Sequence, residues 1–311
     1  MLFDSAMIDR LDAQLREILL VLPNDPELYN FSAMPPLHMR ATCKALCFPD
    51  LGFGSIGATQ YLKIPGPDGN TIPTKMYYPK SPLRHRGLPR VPLIIYFHGG
   101  GWVSCDIDTH DNFCRALTKI SGMLVASIEY RLGPESPFPA APEDCYAATD
   151  WLSKHATTFG GDPSRLIIGG DSAGGNLATV VALMNCERRN FSLLHQLLLY
   201  PSTQWEDWYI KGYLAKPEDA KHPWVAPLLA SSLRGLPPAT IVTAEFDGLN
   251  AQIDAYQNKL LADGVSVERL HYTGTIHGFL TTYGGLDHAH QAMEEIGDML
   301  RRVAKHAYDK E

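Results

Sequence analysis

The chain has 311 residues, 45% hydrophobic and 20% charged. That is enough apolar material for a sizeable core, and it excludes a disordered or collagenous chain. Its 27 Lys and Arg against 34 Asp and Glu give a net charge of −7. No basic stripe runs along it, so neither nucleic acid nor an anionic membrane surface is expected as a partner. No run reaches the roughly 18 apolar residues of a membrane span. The start, Met1-Leu2-Phe3-Asp4, lacks the regions of a secretory signal. Six cysteines at 43, 47, 105, 114, 145 and 186 form no CxxC pair, which points to reduced thiols in the cytoplasm.

Taken in chain order, Met7, Leu11, Leu15, Ile18, Leu19 and Leu22 make one helical stripe over 5–22, ended by Pro23. Residues 23–50 are dotted with proline and show no clear element, so 1–57 reads as an arm packed over something else. Gly52-Phe53-Gly54-Ser55-Ile56-Gly57 matches GxGxxG. A dinucleotide loop needs a strand before it and a helix after it, and here a strand-like run follows. Ala58–Ile64 and Thr71–Tyr78, joined by Pro65-Gly66-Pro67-Asp68-Gly69, predict a hairpin. Apolar runs then recur at Val91–Phe97, Met123–Ile128, Leu166–Ile168, His195–Tyr200, Thr240–Ala244 and Val265–Leu270. Helical patterns at 110–121, 141–158, 173–188, 250–263 and 288–305 alternate with them. This alternation predicts an α/β fold, a mostly parallel sheet covered by helices, over 58–311. Residues 201–226 hold three of the five tryptophans and read as an aromatic insertion that could roof a pocket.

The chemistry concentrates at strand ends. Gly170-Asp171-Ser172-Ala173-Gly174 is GxSxG, preceded by a β-run and followed by a helical pattern. That context makes Ser172 a nucleophile on a strained turn, with a helix N-terminus behind it. His98-Gly99-Gly100-Gly101-Trp102 follows the strand Val91–Phe97. Its bare amides, with that of Ala173, can hold the oxyanion of a tetrahedral intermediate. His98 reads as a residue that fixes this loop and not as a general base. A serine nucleophile needs a base and an orienting acid, in the chain order Ser, Asp or Glu, His. Asp247 and His277 both fall just after strands in that order. Glu245 is still near its strand, Asp254 lies inside a helix, and His271 lies inside a strand. His288 and His290 lack a metal-ligand pattern.

Together with Tyr130-Arg131-Leu132-Gly133-Pro134-Glu135, Phe138-Pro139-Ala140-Ala141, Leu236-Pro237-Pro238-Ala239 and His277-Gly278-Phe279, these motifs resemble the hormone-sensitive-lipase-like family of α/β-hydrolase esterases over 58–305. The resemblance implies the α/β-hydrolase fold, with a small helical cap built from the N-terminal arm and the insertion at 201–226. It implies Ser172, Asp247 and His277 as the catalytic residues and Gly100, Gly101 and Ala173 as the oxyanion donors. It implies no metal and no cofactor. The family often follows its acid with Pro-Leu-Arg-Asp; here Gly248-Leu249-Asn250-Ala251 stands in that place, and the insertion is shorter than usual.

The expected function is hydrolysis of short- to medium-chain acyl esters through an acyl-enzyme. Trp102, Trp205 and Trp208 are the candidate substrate contacts. An amidase or arylformamidase uses similar parts, and a non-catalytic receptor occurs among relatives of this family, commonly without the histidine. The partner is a small ester, and a homodimer is compatible with the fold.

Overall fold

The computed structural model describes residues 5–21, 34–45, 52–82, 90–206, 212–282 and 285–309. Three helices come first: α1 (Ser5–Arg10), α2 (Ala13–Val21) and α3 (Pro36–Ala45). After these come β1 (Ala58–Pro65), β2 (Thr71–Tyr78), β3 (Val91–Phe97), α4 (Asp111–Ser121), β4 (Leu124–Ile128), α5 (Ala140–His155), β5 (Gly161–Asp171), α6 (Ala173–Arg188), β6 (Leu193–Leu199), β7 (Ala239–Phe246), α7 (Asn250–Ala262), β8 (Val267–Ile276) and α8 (Asp287–Asp309). The eight strands form one sheet in the order β1-β2-β4-β3-β5-β6-β7-β8. β1 and β2 are the expected antiparallel hairpin, β2 also runs antiparallel to β4, and every later pairing is parallel. Gly52–Gly57 leads through a bend into β1, with no helix after it, so the nucleotide-loop pattern is not realised there.

Every residue of β3 and β4 is buried. That requires cover on both sheet faces, and it explains why these strands are continuous apolar runs with no alternation. α4 packs on α8, α5 packs on α6, and α6 lies against β5, β6 and β3. Because the strands run parallel, their C-terminal ends gather on one edge. The register sets Phe97 beside Gly170, Asp171 beside Leu199 and Phe246 beside Ile276. The loops after β3, β5, β7 and β8 therefore emerge side by side, where an open α/β sheet places its site.

The N-terminal region departs from the single stripe expected over 5–22. The helix breaks at Leu11-Asp12. The Asp12 carboxylate accepts the Gln14 and Leu15 amides at 2.9 and 3.1 Å, so it caps α2. The Asp12 amide donates to the Gly274 carbonyl at 2.9 Å. The stretch expected to be irregular contains α3, which starts with Pro36 at a position where proline is preorganised for a helix. Leu11, Leu15 and Met39 bury their side chains against the main body. α3 is pinned by Arg40, which donates to the Val103 and Gly133 carbonyls at 2.8 Å each and pairs with Glu135 at 2.6 Å.

The segment after β6 contains two short 3-10 turns, Pro217–Lys221 and Pro227–Leu229. It is tied down at its base by two buried amides. Asn176 Nδ2 donates to the Ser202 and Val225 carbonyls at 3.0 and 2.9 Å. Gln252 Oε1 accepts the Thr203 and Gln204 amides at 2.6 and 2.8 Å. Among the described residues no helix is long and apolar enough to cross a membrane.

Candidate active site

Ser172 occupies the turn between β5 and α6 with φ 53° and ψ −116°. A non-glycine residue there carries strain of about 1–3 kcal/mol, which surrounding contacts must hold in place. They do so through the backbone. The Ser172 amide donates to the Leu199 carbonyl at 2.9 Å, and its own carbonyl accepts the Asn176 and Ser202 amides at 3.1 Å each. The turn is possible only because glycine flanks it. A Cβ on Gly174 would stand 1.9 Å from the Phe97 carbonyl oxygen, so α6 begins almost in contact with the end of β3.

His277 follows β8, and Asp247 follows β7. His277 Nε2 lies 2.9 Å from Ser172 Oγ, and His277 Nδ1 lies 2.7 Å from Asp247 Oδ2. The Asp247 side chain is only 2% exposed, and its other oxygen accepts the Leu249 amide at 2.9 Å. Burial pushes the imidazole of His277 toward the neutral form. The charge and hydrogen bond of Asp247 outweigh that, and the net pKa is raised. The ring of Tyr200 packs edge-on against the imidazole, with centroids 4.9 Å apart. In the Gly248–Ala251 run, Asn250 supports the loop: its Nδ2 donates to the Ala244 and Glu245 carbonyls at 2.8 and 3.1 Å.

The glycine loop stands opposite. The Gly100, Gly101 and Ala173 amides donate to no partner among the described residues. The loop is folded back on itself: the Val103 and Ser104 amides and the Ser104 hydroxyl all donate to the Gly100 carbonyl. His98 is fully buried, stacked on Tyr130 at 4.3 Å. Burial, with help from His110, pushes its pKa down to about 4, as suits a neutral loop-fixing residue.

Asp171, at a variable position of GxSxG to which the motif assigns no role, joins these parts. Its buried carboxylate accepts the Tyr96 hydroxyl at 2.8 Å and the Gly99 amide at 2.9 Å, with His110 Nε2 3.2 Å away. Burial raises its pKa, but His110 and the Tyr96 hydroxyl outweigh that and hold it below the usual carboxylate range. Its signal in the sequence is a charged residue at the end of an apolar strand, between Gly170 and Ser172.

Of the tryptophans, Trp102 is buried, stacked on Tyr213 at 4.5 Å, with Trp205 5.9 Å away. Trp205 is partly exposed, and Trp208 lies outside the described residues. Glu245 binds Arg10 and the Gly274 amide, Asp254 pairs with Arg269, His271 bonds Thr243, and His288 pairs with Asp12. None of these competitors reaches Ser172 through a hydrogen bond that the structure shows. No group of three or more His, Cys, Asp or Glu suited to a metal ion occurs among the described residues. Together the strained hydroxyl, the imidazole and the carboxylate make an arrangement suited to attack on a carbonyl with relay of the hydroxyl proton.

Comparison with known proteins points the same way. A family model described as an alpha/beta hydrolase fold matches residues 94–281. The carboxylic ester hydrolase LipN of Mycobacterium tuberculosis is 39% identical over 273 residues, covering 79% of this chain and 69% of that one. The carboxylesterase NlhH of the same organism is 36% identical, covering 69% and 73%. Among solved structures, an esterase of Pyrobaculum calidifontis superposes with a TM-score of 0.83 at 32% identity, covering 94% of this chain and 99% of that one.

Proposed function

The chain belongs to the α/β-hydrolase fold family and is a carboxylic ester hydrolase, and from that premise we propose that Ser172, His277 and Asp247 carry the hydrolysis through an acyl-enzyme. His277 Nε2 takes the Ser172 proton as Oγ bonds to the ester carbonyl carbon. Asp247 fixes the tautomer that leaves Nε2 free to accept, and stabilises the imidazolium. The amides of Gly100, Gly101 and Ala173 hold the oxyanion. The C–O bond to the alcohol breaks, and His277 returns the proton to the leaving oxygen. Water, deprotonated by His277, then releases the acid and restores Ser172.

The observation that supports this best is the continuous relay from Oδ2 through the imidazole to Oγ at 2.7 and 2.9 Å. Ser172→Ala is expected to lose about 10⁴–10⁶ in kcat on a p-nitrophenyl ester. A paraoxon-type organophosphate should add its phosphoryl mass to Ser172 in the wild type and to nothing in the variant. Retention of more than about a few per cent of wild-type activity would end the triad assignment.

The arm at 1–57 and the insertion at 201–226 form the cap in this reading. Supporting it, α1 and the Asp12 junction meet the β7–β8 end, Gln14 of α2 meets Asp287 at the start of α8, and α3 rests on the glycine loop. Trp102, Trp205 and Trp208 shape the acyl side, Trp102 acting through its stack with Tyr213. Neutral aromatic side chains beside the site suit small uncharged acyl groups. Turnover should be fastest for chains of about two to eight carbons; a profile still rising at palmitoyl would contradict this. The reading places the protein in the cytoplasm, in keeping with its scattered thiols. Assembly as a homodimer, for which β8 offers the terminal edge of the sheet, is read by light scattering.

A further inference from the structure

Helix α3 and the loop beyond the glycine amides meet through a row of matched contacts. Arg40 Nε donates to the Val103 carbonyl at 2.8 Å. The Cys43 thiol lies 3.6 Å from the Ser104 hydroxyl. Lys44 Nζ pairs with Asp106 at 2.9 Å. Cys105 falls between Ser104 and Asp106 in this row, and its thiol hydrogen-bonds with that of Cys43. Both cysteines are half-buried, whereas Cys114 and Cys145 are enclosed in the core. Cys105 also opens onto a cavity of about 420 Å³, lined among others by Arg40, Lys44, Asp106 and Glu129 and by none of the three triad residues. The cavity therefore reaches the pair at Cys105, on a side separate from the ester site, and Cys43, though outside its lining, keeps partial exposure of its own.

We propose that Cys43 and Cys105 form a reversible disulfide that clips α3 to the loop carrying the glycine amides. The bond joins an N-terminal helix to the segment whose Ser104 hydroxyl and amide hold the Gly100 carbonyl. Its formation is thiol chemistry and stands apart from the triad reading. Cys43 is the attacking thiol: the hydrogen bond from Cys105 outweighs burial and brings its pKa down to about 7. The oxidant is a low-molecular-weight disulfide such as oxidised glutathione. The Cys43 thiolate attacks one sulfur, that S–S bond breaks, and one small thiolate leaves. Cys105 then gives its proton to solvent, attacks the Cys43 sulfur and expels the second thiolate. Two protein thiols become one disulfide, and one small disulfide becomes two thiols.

The test uses the full chain incubated with oxidised glutathione, blocked with iodoacetamide and digested with trypsin. The expected product joins peptide Ala41–Lys44 to peptide Val91–Arg115 carrying carbamidomethylated Cys114, two hydrogens lighter than the sum of those two peptides, with fragmentation placing the bond on Cys105 and the alkyl group on Cys114. Dithiothreitol should separate the peptides. Cys43→Ser and Cys105→Ser, each shown by circular dichroism to be folded, should both abolish the link. The oxidised wild type should melt higher than the reduced, because the bond restricts the unfolded chain across the segment from 43 to 105, and Cys43→Ser should show no such difference. Both thiols alkylated after oxidation, glutathione left on Cys43 with no linked peptide, a bond to Cys47 or Cys114, or identical melting of the two forms would each overturn the proposal.

Discussion

Ser172 is held in a conformation that an L residue rarely adopts, and its neighbour Asp171 explains how that turn is kept in step with the loop opposite. The carboxylate of Asp171 is buried, so it remains only because Tyr96, Gly99 and His110 surround it. The Gly99 contact matters most for chemistry, since Gly99 immediately precedes the two amides proposed to bind the oxyanion. A Cβ on Gly99 would lie 2.4 Å from Asp171 Oδ2, so the loop and the elbow are fitted to each other. Asp171 touches no reacting atom; it is a positioning residue. Asp171→Ala should lower kcat about 10²-fold with little change in KM, because the transition-state donors lose their register while ground-state binding persists. Asp171→Asn should fall between that and wild type, since an amide oxygen can still accept the Gly99 N–H but no longer faces His110 with charge. Steady-state kinetics on a p-nitrophenyl butyrate series, with folding checked by circular dichroism, decides it. Full kcat in Asp171→Ala would show that the loop holds itself.

The elements differ in how far the sequence announces them, and the difference is physical. β3 and β4 are buried on both faces, so they read as unbroken apolar runs. α6 is legible because an apolar helical pattern follows glycines at a strand end. The three residues proposed as the triad are legible for the same reason: each sits just past an apolar run, and parallel strands bring such ends together. α1 and α2 are not legible as two helices, since the apolar period continues through Leu11 and Leu15. The break is tertiary, imposed where Asp12 meets Gly274 and caps α2. α3 was hidden by prolines that look like breakers, although Pro36 starts the helix. Its reason to form lies far away in the chain, in the contacts of Arg40 with Val103, Gly133 and Glu135. The tightest junction between elements is where α6 meets β3. Gly174→Ala would drive a methyl into the Phe97 and His98 carbonyls, backbone groups that cannot rotate away. We expect a loss of about 1–3 kcal/mol or more, seen as a lower urea midpoint at an unchanged m-value. A midpoint equal to wild type would mean that helix and strand can separate freely, contrary to the close packing of β5, α6 and β3.

Across the molecule, the fold gathers its strand ends on one edge, and carboxylates gather there with them. Glu129 directly follows β4 and is the least comfortable of these. Burial raises its pKa to about 7, the Ile107 amide opposes this only in part, and Asp106 and Asp108 add to the rise. The ordinary value is 4.5, so between that pH and about 7 the folded chain holds a proton that the unfolded chain has released. Stability must therefore fall as pH rises through this window, and the full penalty is present above it. Glu129→Gln keeps an oxygen to accept the Ile107 amide but cannot ionise. Its melting temperature relative to wild type should rise between pH 5 and pH 8, with the variant the more stable at the upper end. His277, whose pKa is also raised, contributes stability that is likewise lost with rising pH, but it is present in both proteins and cancels in the difference. A constant difference in melting temperature at the two pH values would mean that Glu129 is ionised in the folded state throughout, and that its burial against β4 is relieved by groups other than those named.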